Sequence, residues 1–212
     1  MQRFMITRIA IVAAVSLTVA AGCGTSSQGR PEVSMIRAEA DRDPQKARQL
    51  NREALEQIER EDLEQAETLL RRALRADPTY GPAHNNLGRV YFDQHRLHEA
   101  AWRFEYAIEL MPDKPEPRNN LGLVMESARR LEDARDRYEQ ARQRAPDNAE
   151  ILANLIRTRL AEGERSPQLR ELLGELILKE ERPQWIRWAR EQHALQPQQP
   201  REREDANGPA DR

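Results

Sequence analysis

The feature that most constrains the fold is a set of residues that recurs every 34 positions. It comprises three alanines at one position, three at a second and three prolines at a third: Ala66, Ala100 and Ala134; Ala73, Ala107 and Ala141; Pro78, Pro112 and Pro146. A fixed period over three copies is typical of proteins that stack supersecondary units, each too small to bury its apolar face alone. The sequence therefore predicts an array of repeats.

Composition favours helices throughout this array. One third of the 212 residues are charged and only nine are glycine, as expected for long amphipathic helices. Cys23 is the one cysteine, so an internal disulfide is excluded. The formal net charge of −2 gives no general attraction to nucleic acid. We expect an all-α fold and no nucleic-acid partner.

The middle copy, GPAHNNLGRVYFDQHRLHEAAWRFEYAIELMPD, resembles the tetratricopeptide repeat. Its residues at that family's pattern positions are Leu87, Gly88, Tyr91, Ala100, Phe104 and Pro112. The third copy matches with Leu121, Gly122, Ala134, Tyr138 and Pro146, and the first copy matches less fully. The resemblance implies a solenoid of helix hairpins with a C-terminal capping helix.

Domain boundaries follow from this register. We predict the array over residues 44–195, with repeats at about 47–80, 81–114 and 115–148, a degenerate fourth repeat at 149–182 and a capping helix at 183–195. Residues 23–43 are predicted to be a polar tether and 196–212 a disordered tail, since both are polar and the tail is rich in proline. Trp185 and Trp188 are interpreted as covering the end of the array, with ligand contact as the alternative.

An apolar run precedes Cys23. Residues 9–21 are mostly apolar, too few for a membrane span of ~20 residues but suited to the core of a secretory signal. The small residues directly before Cys23 resemble the lipobox of bacterial lipoproteins. That resemblance implies that residues 1–22 are a signal peptide and that Cys23 receives the lipid. An ordinary signal peptide with an unmodified thiol and an uncleaved anchor are the alternatives.

The residue after the cysteine bears on location. Gly24 stands where retention in the inner membrane would place an aspartate. The lipoprotein resemblance therefore implies an outer-membrane anchor in a bacterial envelope, with the protein facing the periplasm.

A candidate binding surface comes from turning each residue of the middle repeat's first helix by about 100°. Asn85, Arg89 and Phe92 then share a face, and the resemblance implies that this face lines a concave groove that binds extended segments of partner proteins. The predicted groove residues over all copies are Asn51, Leu55, Ile58, Asn85, Arg89, Phe92, Asn119, Leu123, Glu126 and Arg157; Ala153 and Leu160 complete the fourth set.

Asparagine recurs in this groove at positions 51, 85 and 119. A carboxamide both donates and accepts hydrogen bonds, so a row of them can bind the backbone of an extended peptide. The alternative is that these side chains are solvated or bonded to neighbouring helices. Glu116 and Glu150 stand where chaperone-binding members of the family use basic residues, which argues against a cytosolic co-chaperone.

No residues gather into a reaction centre, so we expect no enzyme, no cofactor and no small-molecule substrate. His95, His98 and Glu99 have a spacing that could touch a metal, but a solvated turn is the preferred interpretation and no metal is predicted. The expected function is a membrane-anchored adaptor or assembly factor, similar to pilotins or to adaptors of hydrolases and proteases. A soluble exported or cytosolic scaffold is the alternative.

Overall fold

A computed structural model describes residues 42–198. The predicted signal peptide, Cys23, all but the end of the tether and most of the tail lie outside the described residues. Within them the chain forms nine α-helices and no strand. The helices are α1 (Pro44–Glu59), α2 (Leu63–Ala76), α3 (Gly81–Asp93), α4 (Leu97–Leu110), α5 (Glu116–Ser127), α6 (Leu131–Arg144), α7 (Ala149–Ala161), α8 (Pro167–Lys179) and α9 (Pro183–Ala194).

Consecutive helices pack as hairpins. The pairs α1–α2, α3–α4, α5–α6 and α7–α8 each form one hairpin, and the second helix of one hairpin packs on the first helix of the next. The final helix, α9, packs on α8. This arrangement places α1 against α3 and α3 against α5, so the first helices form a layer of their own.

Polar side chains fix where several helices begin. The Asp43 carboxylate accepts from the backbone N–H of Lys46 at 2.9 Å, and Ser166 Oγ accepts from that of Leu169 at 3.1 Å. Such caps satisfy backbone donors that the first helical turn leaves without partners. Proline in the first turn of α1 and α8 suits the same positions, because the amide hydrogen it lacks has no helical acceptor there.

The turns of the four hairpins have the same conformation. Each turn has a residue with positive φ, and these residues are again 34 positions apart: Glu61, His95 and Arg129 at φ 61° and Gly163 at φ 84°. In each turn its N–H donates to the carbonyl three residues earlier, as from His95 to Phe92 at 2.9 Å. The fourth hairpin therefore keeps the shared turn although its sequence lacks the recurring alanines and proline.

Small residues let the paired helices approach closely. A Cβ atom added to Gly88 would lie 2.7 Å from Phe104 Cε1, and one added to Gly122 would lie 2.5 Å from Tyr138 Cε1. Both rings are fully buried. One buried cluster extends from α1 through α7, and a second joins α7, α8 and α9, with Trp185 and Trp188 packed against it.

A candidate binding groove on the first helices

The first helices α3, α5 and α7 line a cavity of about 480 Å³, which we call the groove. Five of the predicted residues lie in its lining: Asn85, Arg89, Phe92, Asn119 and Leu123. Phe92 and Leu123 are partly buried and pack against the core with one side. The groove therefore offers apolar surface beside amide and charged groups.

The other five predicted residues lie outside this lining. Asn51 and Ile58 are buried, at 6% and 8% exposure, and Leu55 packs against the core. Glu126 and Arg157 bind each other, with Arg157 Nη2 2.9 Å from Glu126 Oε2. Partner contact by any of the ten stays a prediction.

The asparagines form an amide ladder from one repeat to the next. In each rung, an Nδ2 donates to the Oδ1 of the asparagine 35 residues earlier, at 2.9, 3.0 and 2.9 Å. The rungs are Asn86 to Asn51, Asn120 to Asn85 and Asn154 to Asn119. The predicted row of asparagines is thus bonded to neighbouring helices through its carbonyl oxygens, and Asn85 Nδ2 also donates to Asn86 Oδ1 at 3.4 Å.

The ladder covers all four first helices and has definite ends. In α1, Arg52 replaces the asparagine that acts as donor in the other first helices. In α7, Ala153 replaces the asparagine that acts as acceptor. Sequence reasoning missed the donor asparagines 86, 120 and 154, although they too are 34 residues apart. The same period that revealed the acceptors would have revealed them.

Carboxylates set the charge of the groove. Glu116 and Glu150 line it and are exposed, and neither forms an ion pair within residues 42–198. Arg89 is the cation of the lining and lies 4.0 Å from Asp93. The groove therefore carries an excess of negative charge.

A buried tyrosine binds Glu126, one of the predicted groove residues. Tyr138 is fully buried, and its hydroxyl donates to Glu126 Oε2 at 2.9 Å. Burial, followed by the neighbouring Glu126 carboxylate, raises the pKa of Tyr138, so the phenol stays protonated. The hydrogen bonds from Arg157 and Tyr138 together join the third repeat to the fourth through Glu126.

Comparison with known proteins bears on the fold. A tetratricopeptide repeat family model matches residues 57–101. The first tetratricopeptide domain of Spaghetti (RPAP3), bound to HSP90 peptide SRMEEVD, matches with a TM-score of 0.56 at 21% identity, covering 58% of this chain and 98% of that one. The described chain has a tetratricopeptide repeat fold. The prediction of an all-α helical solenoid is confirmed.

Two further solved structures resemble this tetratricopeptide array. MamA matches with a TM-score of 0.54 at 18% identity, over 77% of this chain and 85% of that one. The O-GlcNAc transferase of Thermobaculum terrenum matches with a TM-score of 0.58 at 20% identity, but the match covers only 26% of that protein's length. No curated protein matches the sequence. At these identities the likeness concerns the fold.

Two histidines of the array occupy structural positions. His95 is the positive-φ residue of the second hairpin turn, and His84 is buried. Within the described residues, no three histidine, cysteine or acidic side chains are grouped as metal ligands would be. In the same part of the chain, every helix is too short or too polar to cross a membrane.

Proposed function

We propose that this chain is a membrane-anchored adaptor or assembly factor that holds an extended segment of a partner protein in its groove. The observation that carries the proposal is the open cavity between α3, α5 and α7, where Phe92 and Leu123 flank the amide ladder. Apolar contacts of this kind supply affinity, and the amide groups select backbone geometry. A pilotin-like role and a hydrolase or protease adaptor role both fit this chemistry.

An extended segment suits the groove better than a folded domain. Asn85 and Asn86 of α3 recur in the lining as Asn119 and Asn120 of α5. Packed helices lie about 8–10 Å apart, so residues about three positions apart in an extended chain can meet these equivalent groups. The NH₂ groups of Asn85 and Asn119, both in the groove lining, each keep a hydrogen that can donate to a peptide carbonyl oxygen without reading side chains. Spaghetti (RPAP3), whose solved structure has a similar fold, is bound to a peptide.

The charge of the groove limits which segment can bind. Glu116 and Glu150 would repel an acidic segment such as the SRMEEVD peptide, because like charges close together cost free energy. We therefore propose a partner segment that is neutral or basic where it meets these two carboxylates. This argues against a co-chaperone function.

Anchoring through Cys23 completes the proposal. A lipid with two or more acyl chains holds a protein at a bilayer, at ~0.8 kcal/mol per buried methylene, so the array would work at the outer membrane facing the periplasm. Mass spectrometry of the mature N-terminus tests this. An acylated Cys23 supports the anchor, and a free thiol supports the soluble exported or cytosolic scaffold.

The groove is tested by a double variant, Asn85→Ala with Phe92→Ala. Proteins captured from membranes by the unchanged chain should be lost with this variant while its helical circular dichroism is retained. Leu178→Ser is the matched control, since Leu178 is 87% exposed on α8 and lies outside the groove. Equal capture by all three chains would contradict the proposed groove.

A further inference from the structure

A second cavity lies between the second helices α2 and α4. Its volume is about 750 Å³, and no residue lines both it and the groove. We call it the aromatic pocket and define it by Leu74, Pro78, His84, Trp102, Arg103 and Tyr106. The adaptor function proposed above makes no use of it.

Exposed aromatic side chains mark this pocket. Trp102 is 71% exposed and Tyr106 is 47% exposed. Large apolar side chains that remain exposed around a cavity are typical of protein–protein contact sites, where tryptophan, tyrosine and arginine supply much of the binding energy. The pocket therefore has the side-chain chemistry of a binding surface.

A buried histidine holds the pocket in shape. His84 is only 5% exposed, and its Nε2 lies 2.9 Å from the carbonyl oxygen of Pro78. With Nε2–H as donor, Nδ1 is left to accept from Arg103 Nη1 at 3.4 Å. Burial and the adjacent guanidinium lower the pKa of His84, which keeps the ring neutral for this role.

The same histidine orders one aromatic wall. The His84 ring stacks on Tyr106, with 5.0 Å between ring centroids. One side chain thus positions both the Arg103 guanidinium and the Tyr106 ring. Such preorganisation lowers the entropy that a ligand would lose on binding.

Within the described part of the chain, the pocket has one cation without a counter-ion, although its lining also contains the acidic residue Glu99. Arg103 forms no ion pair among residues 42–198, whereas nearby Glu67 is shared by Arg71 and Arg96. Glu99, the acid in the lining, pairs with Arg96. A carboxylate that enters the pocket can therefore form a charge-assisted hydrogen bond with Arg103.

An arginine cluster, Arg118, Arg137 and Arg144, lies one repeat further along. Arg118 is equivalent to His84 and Arg137 to Arg103 by the 34-residue period. Arg118 is only 8% exposed and donates to the carbonyl oxygen of Lys114 at 3.1 Å. Burial, then Arg144 and Arg137, lower its pKa against the opposing effect of Asp113. An anion bound there would relieve this repulsion.

We propose that the surface formed by the aromatic pocket and the arginine cluster, in the second and third repeats, binds an acidic peptide segment of a partner protein. An aromatic or aliphatic side chain of the segment enters the aromatic pocket between Trp102 and Tyr106, and carboxylates bind Arg103 and the arginine cluster. A peptide fits better than an anionic membrane, because a cavity of about 750 Å³ accepts a single side chain. The exposed Glu105 and Glu109 of α4 would repel any anion beside them, so the carboxylates of the segment are placed at Arg103 and at the arginine cluster.

The test measures fluorescence anisotropy of a short labelled peptide with blocked ends and a phenylalanine between glutamates, titrated with the full chain. The control peptide has glutamines in place of the glutamates. The acidic peptide should bind more tightly, and Trp102→Ala and Arg103→Gln should each weaken it about tenfold. Arg187→Gln, which removes an exposed arginine of α9 outside both cavities, is the matched control and should leave the affinity unchanged.

Three results would overturn the proposal. They are equal binding of the two peptides, unchanged affinity in Trp102→Ala, and a loss in Arg187→Gln as large as in Arg103→Gln. Arginine-dependent binding to phosphatidylglycerol vesicles without peptide binding would overturn it in favour of a lipid surface. None of these results bears on capture through the groove, so the two proposals fail independently.

Discussion

Arg157 binds the Glu126 carboxylate with two hydrogen bonds, of 3.1 Å from Nε and 2.9 Å from Nη2, across the boundary between the third and fourth repeats. Both residues were predicted to face a partner. Because each is the other's counter-ion, we assign them a role in joining the two repeats. The Tyr138 hydroxyl strengthens this junction from the second helix of the third repeat.

Arg157→Ala should destabilise the array by about 1–3 kcal/mol. The substitution removes two charge-assisted hydrogen bonds and leaves the partly buried Glu126 carboxylate without its counter-ion. The control is Arg130→Ala, which removes an ion pair to Asp133 between two well-exposed side chains and should cost less than about 1 kcal/mol. Urea denaturation followed by circular dichroism measures both. Equal losses would contradict a structural role for the Arg157 pair.

Gly122→Ala should destabilise by about 1–3 kcal/mol, because the new Cβ would lie 2.5 Å from Tyr138 Cε1 and force the paired helices apart. Gly174→Ala is the matched substitution in a helix interior, where the nearest atom is His193 Nε2 at 3.9 Å. It should instead stabilise by about 0.5–1 kcal/mol. Thermal melts of both variants distinguish close approach from helix propensity, and a stabilised Gly122→Ala would refute the packing argument.

Asn119→Ala should cost about 1–3 kcal/mol, because it leaves the Nδ2 donor of Asn154 without its partner. Asn154 is only 6% exposed, so water cannot fully replace the lost acceptor. Asn85→Ala removes the equivalent acceptor from Asn120, which is less buried, and should cost less. Chemical denaturation measures the two, and the reverse order would contradict the amide ladder as a source of stability.

Glu180 gives the junction of α8 and α9 a pH dependence. The side-chain hydrogen bond from Arg182, helped by two backbone N–H donors, holds the pKa of Glu180 at about 2, below its ordinary 4.5. A depressed pKa contributes stability above pH 4.5 that is lost as the pH falls through 2. Glu180→Gln should therefore melt at a lower temperature than the unchanged chain at neutral pH, and the difference should shrink toward about pH 2. A difference that stays constant with pH would contradict this.

The resemblance to the tetratricopeptide repeat implied the helix hairpins, and the 34-residue period of the alanines and prolines gave the register of the repeats. The turns were less visible. Gly163 signals a positive φ, but Glu61, His95 and Arg129 also have positive φ without any glycine signal. At those three positions the turn is closed by the same backbone hydrogen bond to the carbonyl three residues earlier.

The groove was only partly predictable, for a geometric reason. A helical wheel gives the direction in which a side chain points but not how far neighbouring helices bury it. Ile58 and Phe92 are equivalent on the wheel, yet Ile58 is buried and Phe92 is partly exposed. The partners of the asparagines depend on the register between adjacent first helices, and the aromatic pocket depends on His84 facing a different helix. Neither relation is contained in one helix.

Site-specific photo-crosslinking tests the central claim most directly. A photoreactive residue at position 123, in the groove, should cross-link in intact membranes to one segment of a partner protein, and the same residue at position 178, exposed on α8, should not. Cross-links from position 123 to the chain's own residues, or equal partner labelling from both positions, would contradict a groove that holds a partner segment.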